Sequence, residues 1–258
     1  MSPNHDINDG LLLVCHGTRD AAGLAEFAVL VERVRAAGSQ PAEPCFLELA
    51  QPTIGEGVAR LVDRGVRLVT VVPVLLFAAG HAKRDIPAAV AEAAAGHPGL
   101  TVQQAGALEC HEQVLTLSAR RFDEAIAEKP AVDPGQTLLV MVGRGSLDAE
   151  ATAEMHRFAR LRAERTPVGR VLICFLAMQA PSLAEGLAEA AASGFQRIVV
   201  QPHLLFSGQL SDEVGSAVES CRRQSGHDWL VTAVLGPEAE LASAVIERAR
   251  EASAVFRV

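Results

Sequence analysis

Several features that would assign this protein to a class at once are missing from its sequence. The five cysteines stand at positions 15, 45, 110, 174 and 221. They include no CxxC pair and no zinc-ribbon spacing, and an odd number of cysteines in mostly apolar runs is typical of free thiols in a reducing compartment. The opening MSPNHDINDG has no signal-peptide core, and the most apolar stretch, VVPVLLFAA, is less than half the length of a membrane span. We therefore expect a cytoplasmic protein without a membrane partner.

An excess of basic charge is also missing. The formal net charge is −8, which argues against a general nucleic-acid partner. Hydrophobic residues make up 49% of the 258 residues, so a sizeable core can form. The length fits one large α/β domain or two domains of about 130 residues each.

Strand-like and helix-like segments alternate along the whole chain. The predicted strands are LLLVC, EPCFLEL, VRLVTVVPVLLF and LTVQQAG, then TLLVMV, GRVLICFLA, FQRIVVQPHLLF and DWLVTAVL. Each is followed by a helical pattern of ten residues or more, and EKPAVDPGQ between the two sets has the composition of a linker. This alternation predicts parallel βαβ units.

The second set of segments repeats the first. FLELAQPTIGEGV (46–58) aligns with FLAMQAPSLAEGL (175–187), and HGTRD (16–20) aligns with RGSLD (144–148). The sequence therefore predicts an α/β fold of two similar Rossmann-like, parallel-sheet domains that arose by internal duplication, with a cleft between them. We expect the N-terminal half, residues 1–130, to carry the metal and catalytic residues. Residues 131–258 are then a degenerate repeat that forms the opposite wall of the cleft.

Three polar residues of the first copy fall at the carboxyl ends of successive predicted strands: His16, Glu48 and His81. Open parallel sheets bind ligands at that edge. The second copy has Arg144, Ala177 and Leu210 there (Gln209 if the last loop is shifted by one residue). The copies thus share a scaffold and differ in the residues that could carry chemistry.

Two imidazoles and a carboxylate can bind a divalent first-row metal, and a neutral imidazole can act as a base near pH 7. Each residue also has a structural interpretation. His16 could bond to backbone at a strand end, and His81 could simply begin a helix. Glu48 lies between Leu47 and Leu49 in a predicted strand, where a buried carboxylate needs a partner. Taken together at three strand ends, the residues favour a function.

Charged side chains near these positions could bind an anionic substrate, although a solvated surface is the commoner place for them. The candidates are Arg19, Lys83, Arg84 and Arg144. His203 appears in the second copy where the first has Val74. Cys45 and Cys174 hold equivalent positions and are predicted core residues. The other histidines, 5, 97, 111, 156 and 227, are predicted to lie on the surface.

HGTRD, FLELAQPTI, VVPVLLFAAGHAKRDIP, VGRGS and PHLLFSGQL together resemble the sirohydrochlorin chelatases in their long form with two halves in one chain. The resemblance runs from about residue 11 to about residue 214. It implies insertion of a divalent metal into sirohydrochlorin with release of two protons. It assigns His16 and His81 as metal ligands and proton acceptors, with assistance from Glu48.

The same resemblance implies how a tetrapyrrole with many carboxylates is held between the halves. The predicted substrate contacts are Arg19, Lys83, Arg84, Arg144, Ser146 and His203. The metal is then a substrate and no cofactor is permanently bound. Long cobalt-inserting members often carry a histidine-rich tail, so its absence here favours iron, with cobalt a close second and nickel possible. Direct transfer to or from a neighbouring enzyme of siroheme or cobalamin synthesis is a further expectation.

Two other functions use the same residues. A metal or tetrapyrrole carrier could have the same ligands without turnover. HGTR also resembles the RHGxR segment of histidine phosphatases, but Cys15 stands where those enzymes have their first arginine.

Overall fold

The chain forms two four-stranded parallel sheets with helices on both faces of each, as described by a computed structural model. The structure describes residues 9–256, without the side chains of residues 81, 82, 255 and 256. The strands are β1 (Asp9–Cys15), β2 (Ala42–Phe46), β3 (Leu68–Pro73), β4 (Thr101–Gln104), β5 (Thr137–Gly143), β6 (Arg170–Phe175), β7 (Arg197–Pro202) and β8 (Asp228–Val231). The helices are α1 (Ala21–Ala37), α2 (Ile54–Asp63), α3 (Ile86–Ala95), α4 (Glu112–Ile126), α5 (Ala149–Ala163), α6 (Leu183–Ala192), α7 (Gln209–Gln224) and α8 (Ala239–Phe256). The predicted α/β class and the eight predicted strands are confirmed.

The two sheets have the same topology. Their strand orders are β2-β1-β3-β4 and β6-β5-β7-β8, and every strand pair within them is parallel. Helices α2 and α6 begin with the same capping box, Thr53 with Glu56 and Ser182 with Glu185. The duplication seen in the sequence is therefore a duplication of backbone structure.

The core of each sheet follows from its apolar strands. In the first sheet, Leu12 and Val14 of β1 are fully buried against α2 and α3, as expected for parallel strands covered on both faces. Cys45 and Cys174 are also fully buried, which confirms their prediction as core residues, and burial raises the pKa of both thiols. No helix within residues 9–256 is long and apolar enough to cross a membrane.

The compact units do not follow the sequence halves. The first unit consists of the chain up to Glu109 and of the chain from Pro237 onwards, so it contains α8. The second unit, Cys110–Gly236, contains α4. The last helix of each sequence copy thus packs on the sheet of the other copy. The boundary expected from the repeat, between residues 130 and 131, differs from these units because the repeat in the sequence does not reveal which sheet a helix covers.

Side-chain hydrogen bonds hold each exchanged helix to its unit. In the first unit, the Arg248 guanidinium on α8 donates to the Leu108 carbonyl at 3.0 Å. In the second, Arg121 on α4 donates to the Leu235 carbonyl at 2.7 Å. Arg162 on α5 is fully buried and donates to Ser118 on α4 at 3.1 Å. Desolvation lowers the pKa of Arg162 to about 10.

The exchange predicts which fragments fold. A fragment of residues 110–236 retains α4 and should unfold cooperatively on heating. A fragment of residues 131–258 lacks α4, so it loses the cover that its sheet has in the intact protein. Leu115, Leu117 and Phe122 of α4 are at most 3% exposed, and burial of each such side chain stabilises by roughly 1.5–3 kcal/mol.

Thermal unfolding of the two fragments, followed by circular dichroism, checks this expectation. Equal cooperativity in both would mean that α8 can replace α4 on the second sheet, and the exchange would then not be required for folding.

Candidate active site at the ends of β1 and β2

The turn after β1 is built around one glycine. Gly17 has φ 103°, and a Cβ atom added there would lie 1.8 Å from the carbonyl oxygen of Glu48. Only glycine combines this backbone conformation with so close an approach. Asp20 then begins α1, because its carboxylate accepts the backbone N–H of Ala22 at 2.8 Å. The HGTRD segment is therefore a tight turn that presents His16 beside the chain leaving β2.

His16 and Glu48 form a pair at this edge of the sheet. The Nε2 atom of His16 lies 3.3 Å from Oε1 of Glu48, and the backbone N–H of Glu48 donates to the His16 carbonyl at 3.0 Å. The side chains are 23% and 51% exposed, respectively. An imidazole nitrogen and a carboxylate oxygen that face each other within reach of solvent can share a proton or bind a divalent metal. The structure thus brings together two of the three residues that the sequence singled out.

The expected setting of Glu48 was wrong. Strand β2 ends at Phe46, and Glu48 lies two residues further on in a turn, half exposed, rather than in a buried strand. The buried carboxylate of β2 is Glu43, whose side chain is 4% exposed and is paired with Arg64 at 3.0 Å and with Arg35 at 3.4 Å. Glu43 is therefore the buried carboxylate with charged partners that was expected at Glu48. Its role is structural.

His81 is placed by its backbone alone. It begins a π-helical turn, His81–Asp85, that leads directly into α3 after the carboxyl end of β3. Such turns occur frequently at functional sites. The His81 side chain is outside the described part of the structure, so its role as a third ligand stays a prediction. Among the side chains that are described, no three His, Cys, Asp or Glu residues converge on one point.

The predicted substrate contacts are distributed over both units. Arg19, Lys83 and Arg84 are exposed in the first unit, and Arg144 is exposed at the end of β5 in the second. Ser146 is half-buried, and its hydroxyl accepts the backbone N–H of Asp148 at 3.0 Å. Their roles as contacts for carboxylates stay predictions.

The second unit repeats the backbone of the site without its chemistry. The Ala177 N–H donates to the Arg144 carbonyl at 3.0 Å, just as Glu48 donates to His16. Gly145 has φ 87°, and a Cβ atom there would lie 1.7 Å from the Ala177 carbonyl oxygen. The first helical hydrogen bond after β3 runs from the Lys83 N–H to the Ala79 carbonyl, and after β7 from the Asp212 N–H to the Gly208 carbonyl. These bonds keep one alignment through the loop, so Leu210 rather than Gln209 is the structural counterpart of His81.

The expected contact from His203 is corrected by its burial. His203 is 2% exposed, and its ring centre lies 4.1 Å from that of Phe158 on α5. Its backbone N–H donates to Val142 at 2.8 Å, at the place where Val74 donates to Val14 in the first unit. His203 therefore lies in the core, as Val74 does in the first unit. Its alignment with that valine after an apolar strand was a sequence signal for burial.

The other histidines with described positions are not all on the surface. His111 is 8% exposed and is the N-cap of α4, where its Nδ1 accepts the backbone N–H of Gln113 at 3.2 Å. His227 lies within 2.7 Å of the Phe195 carbonyl and is half-buried. His156 is exposed as predicted. His5 is outside the described residues.

Comparisons with known proteins agree with this fold. SirB from Bacillus subtilis, solved with Fe³⁺, matches the chain with a TM-score of 0.86 at 29% identity and with 97% of each chain covered. A sirohydrochlorin ferrochelatase from Priestia megaterium is 32% identical over 83% of this chain and 79% of the relative. A sirohydrochlorin cobaltochelatase from the same organism is 30% identical over 93% of this chain and 79% of the relative. The fold is therefore that of a chelatase-type α/β protein.

The family follows from the match to its model. The CbiX family model matches the chain twice, over residues 10–125 and residues 138–252. The chain belongs to the CbiX family, and both of its copies carry the family pattern.

Gly17 and Gly145 each lie close to a carbonyl oxygen, and this predicts how alanine at either position affects stability and metal binding. Gly17→Ala and Gly145→Ala should each lower the free energy of unfolding by about 1–3 kcal/mol, because both force a strained turn away from a carbonyl oxygen. Only Gly17→Ala should weaken Co²⁺ binding, by about tenfold or more, since it separates His16 from Glu48. Denaturant unfolding and calorimetric Co²⁺ titration measure the two effects. Equal Co²⁺ affinity in the two variants would contradict a metal site at this pair.

Burial of His203 predicts a loss of stability in acid. Desolvation lowers the pKa of His203 from 6.5 to about 3, so between these pH values the unfolded chain binds a proton that the folded chain does not. This contribution is complete above about pH 6.5, and it falls as pH drops towards 3, by up to about 1.4 kcal/mol per pH unit. His203→Leu should remove that slope.

Urea unfolding at pH 7 and pH 5 tests this expectation. Wild type should lose about 2 kcal/mol more than His203→Leu over that interval. His156→Leu, at an exposed histidine of the same unit, serves as the control and should follow wild type. If His203→Leu also follows wild type, His203 is not the acid-sensitive group.

Proposed function

We propose that this protein inserts a divalent metal, Fe²⁺ or Co²⁺, into sirohydrochlorin with release of two pyrrole protons. The observation that carries the proposal is the His16–Glu48 pair, 3.3 Å apart at the carboxyl edge of a CbiX-family sheet. The similar relatives named above include a ferrochelatase at 32% identity and a cobaltochelatase at 30%. This small difference does not separate the two metals, and imidazole and carboxylate accept both.

The pair can serve both halves of the reaction. A neutral His16 offers a nitrogen to the incoming metal, and the Glu48 carboxylate offers an oxygen and a compensating negative charge. When the two ring N–H groups lose their protons, His16 is proposed to accept one of them and His81 the other, since imidazole is a suitable base. Glu48, half exposed and within 3.3 Å of the His16 imidazole, can pass the proton of His16 on to water. The metal is consumed as a substrate, so no permanently bound cofactor is required.

The remaining predicted residues complete the proposed site. His81 follows the third strand of the same sheet edge and is proposed as the second imidazole. Arg19, Lys83, Arg84 and Arg144 are proposed to meet the carboxylates of the macrocycle. Guanidinium groups bind carboxylates through paired hydrogen bonds, and the Lys83 ammonium offers a single positive charge. Ser146 is proposed to add a hydroxyl contact. His203 is no longer included, because the structure buries it.

The cellular setting is part of the proposal. We place the reaction in the cytoplasm, in siroheme or cobalamin synthesis. No disulfide joins the five cysteines, as expected in a reducing compartment. Direct exchange of substrate or product with a neighbouring enzyme of the same synthesis is proposed without a surface assigned to it.

Turnover of sirohydrochlorin tests the function. Anaerobic absorbance of sirohydrochlorin with Fe²⁺ or Co²⁺ should show many turnovers per protein molecule above the spontaneous rate. His16→Ala, His81→Ala and Glu48→Gln should each reduce kcat by about 10²-fold or more, the usual contribution of a positioned base. His156→Ala, at an exposed histidine of the second unit, should retain wild-type turnover.

The other outcomes each identify a different protein. Binding of metal or sirohydrochlorin with no turnover would leave a carrier and overturn the chelatase. Full turnover in His16→Ala and Glu48→Gln would establish a chelatase whose chemistry lies elsewhere in the chain.

A further inference from the structure

Leu49 directly follows Glu48 and has a backbone conformation that leucine rarely adopts. Its φ is 64°, and the N–H of Ala50 donates to the Glu48 carbonyl at 2.8 Å, which closes a three-residue turn with Leu49 at its tip. Turns of this kind with a positive φ are rare and strained. Glycine adopts such a φ freely, whereas a side chain there is unfavourable.

The Leu49 side chain gains only partial burial in exchange for this strain. It is 51% exposed, and it is one of four large apolar side chains that stand out from the described surface. A half-exposed apolar side chain gains less from packing than a fully buried one does, and it makes no hydrogen bond. Strain that folding does not require is found mostly at functional sites.

The second unit keeps the same turn with the same kind of side chain. Met178 has φ 63° and is 55% exposed, and the N–H of Gln179 donates to the Ala177 carbonyl at 2.8 Å. The neighbouring residues differ between the copies, since Glu48 corresponds to Ala177. A long apolar side chain without a β-branch has nevertheless been retained at the tip in both.

We propose that Leu49 is a substrate-contacting residue that packs against the flat apolar face of the macrocycle next to the His16–Glu48 pair. This inference rests on the proposed function. A tetrapyrrole ring has charged carboxylates at its rim and an apolar face over its centre, where the metal enters. A residue one position from Glu48 can contact that face while the carboxylate takes part in metal transfer.

Replacing the Leu49 side chain should separate binding from stability. Leu49→Gly should raise the KM for sirohydrochlorin about tenfold, a loss of about 1.4 kcal/mol. Leu49→Asn should behave in the same way, because asparagine tolerates a positive φ but is polar. The KM for Co²⁺ should stay within twofold of wild type, since the metal ligands are intact. The Tm of Leu49→Gly should be equal to or above that of wild type, because glycine relieves the strain.

A conservative variant and a control complete the test. Leu49→Met, which introduces the residue found in the second unit, keeps a long apolar side chain, so its KM for sirohydrochlorin should be lower than that of Leu49→Asn. Val29→Asn removes another exposed apolar group, 46% exposed on α1, and should leave the wild-type KM for sirohydrochlorin unchanged.

The results distinguish this inference from the proposed function. If wild type does not turn over sirohydrochlorin, the proposed function fails. If wild type turns over and Leu49→Gly keeps its KM for sirohydrochlorin, only the role of Leu49 is overturned. A lower Tm for Leu49→Gly would show that the side chain is needed for folding, and it would overturn the inference as well.

Discussion

The site depends on one close approach of backbone to backbone. Gly17 lies so near the Glu48 carbonyl that a Cβ atom would be 1.8 Å from its oxygen, while the Glu48 N–H donates to the His16 carbonyl at 3.0 Å. These two constraints fix the end of β1 against the chain leaving β2. As a consequence, His16 and Glu48 meet at 3.3 Å, and Leu49 is held at the tip of the turn. A larger residue at position 17 would separate the groups that the proposed chemistry requires.

The second unit shows that this backbone arrangement does not itself determine chemistry. Gly145 approaches Ala177 as closely as Gly17 approaches Glu48, and the hydrogen bond between the two strand ends is the same. Side chains at the equivalent points differ, with Arg144 in place of His16. The same backbone hydrogen bonds hold the frame in both copies: the Glu48 and Ala177 N–H groups donate to the His16 and Arg144 carbonyls, respectively. The side chains that project from it differ, so the first copy presents His16 and Glu48 where the second presents Arg144 and Ala177.

Two expectations failed because strand patterns do not show where a strand ends or what covers it. Leu47, Glu48 and Leu49 read as a continuation of β2, but the chain turns after Phe46 to meet the end of β1, so Glu48 is half exposed. His203 was expected near the substrate because it replaces a valine after an apolar strand. It is buried instead, because its backbone position is that of the fully buried Val74 and because α5 covers it, with Phe158 4.1 Å from the imidazole between ring centres. Both outcomes depend on residues from other elements.

The sequence alone determined the α/β class and the duplication, and it predicted that His16 and Glu48 lie at the same edge of one sheet. These follow from local apolar patterns and from aligned segments within one chain. Only the tertiary structure decided which sheet each last helix covers. Helices α4 and α8 hold the same place in the two repeats, so the repeat in the sequence does not show which sheet each of them covers. Contacts far apart in the chain, such as that of Arg248 with Leu108, identify the partner. The positive φ of Leu49 was also decided by the tertiary structure, because Leu49 lies in the turn by which the chain leaves β2 beside the end of β1.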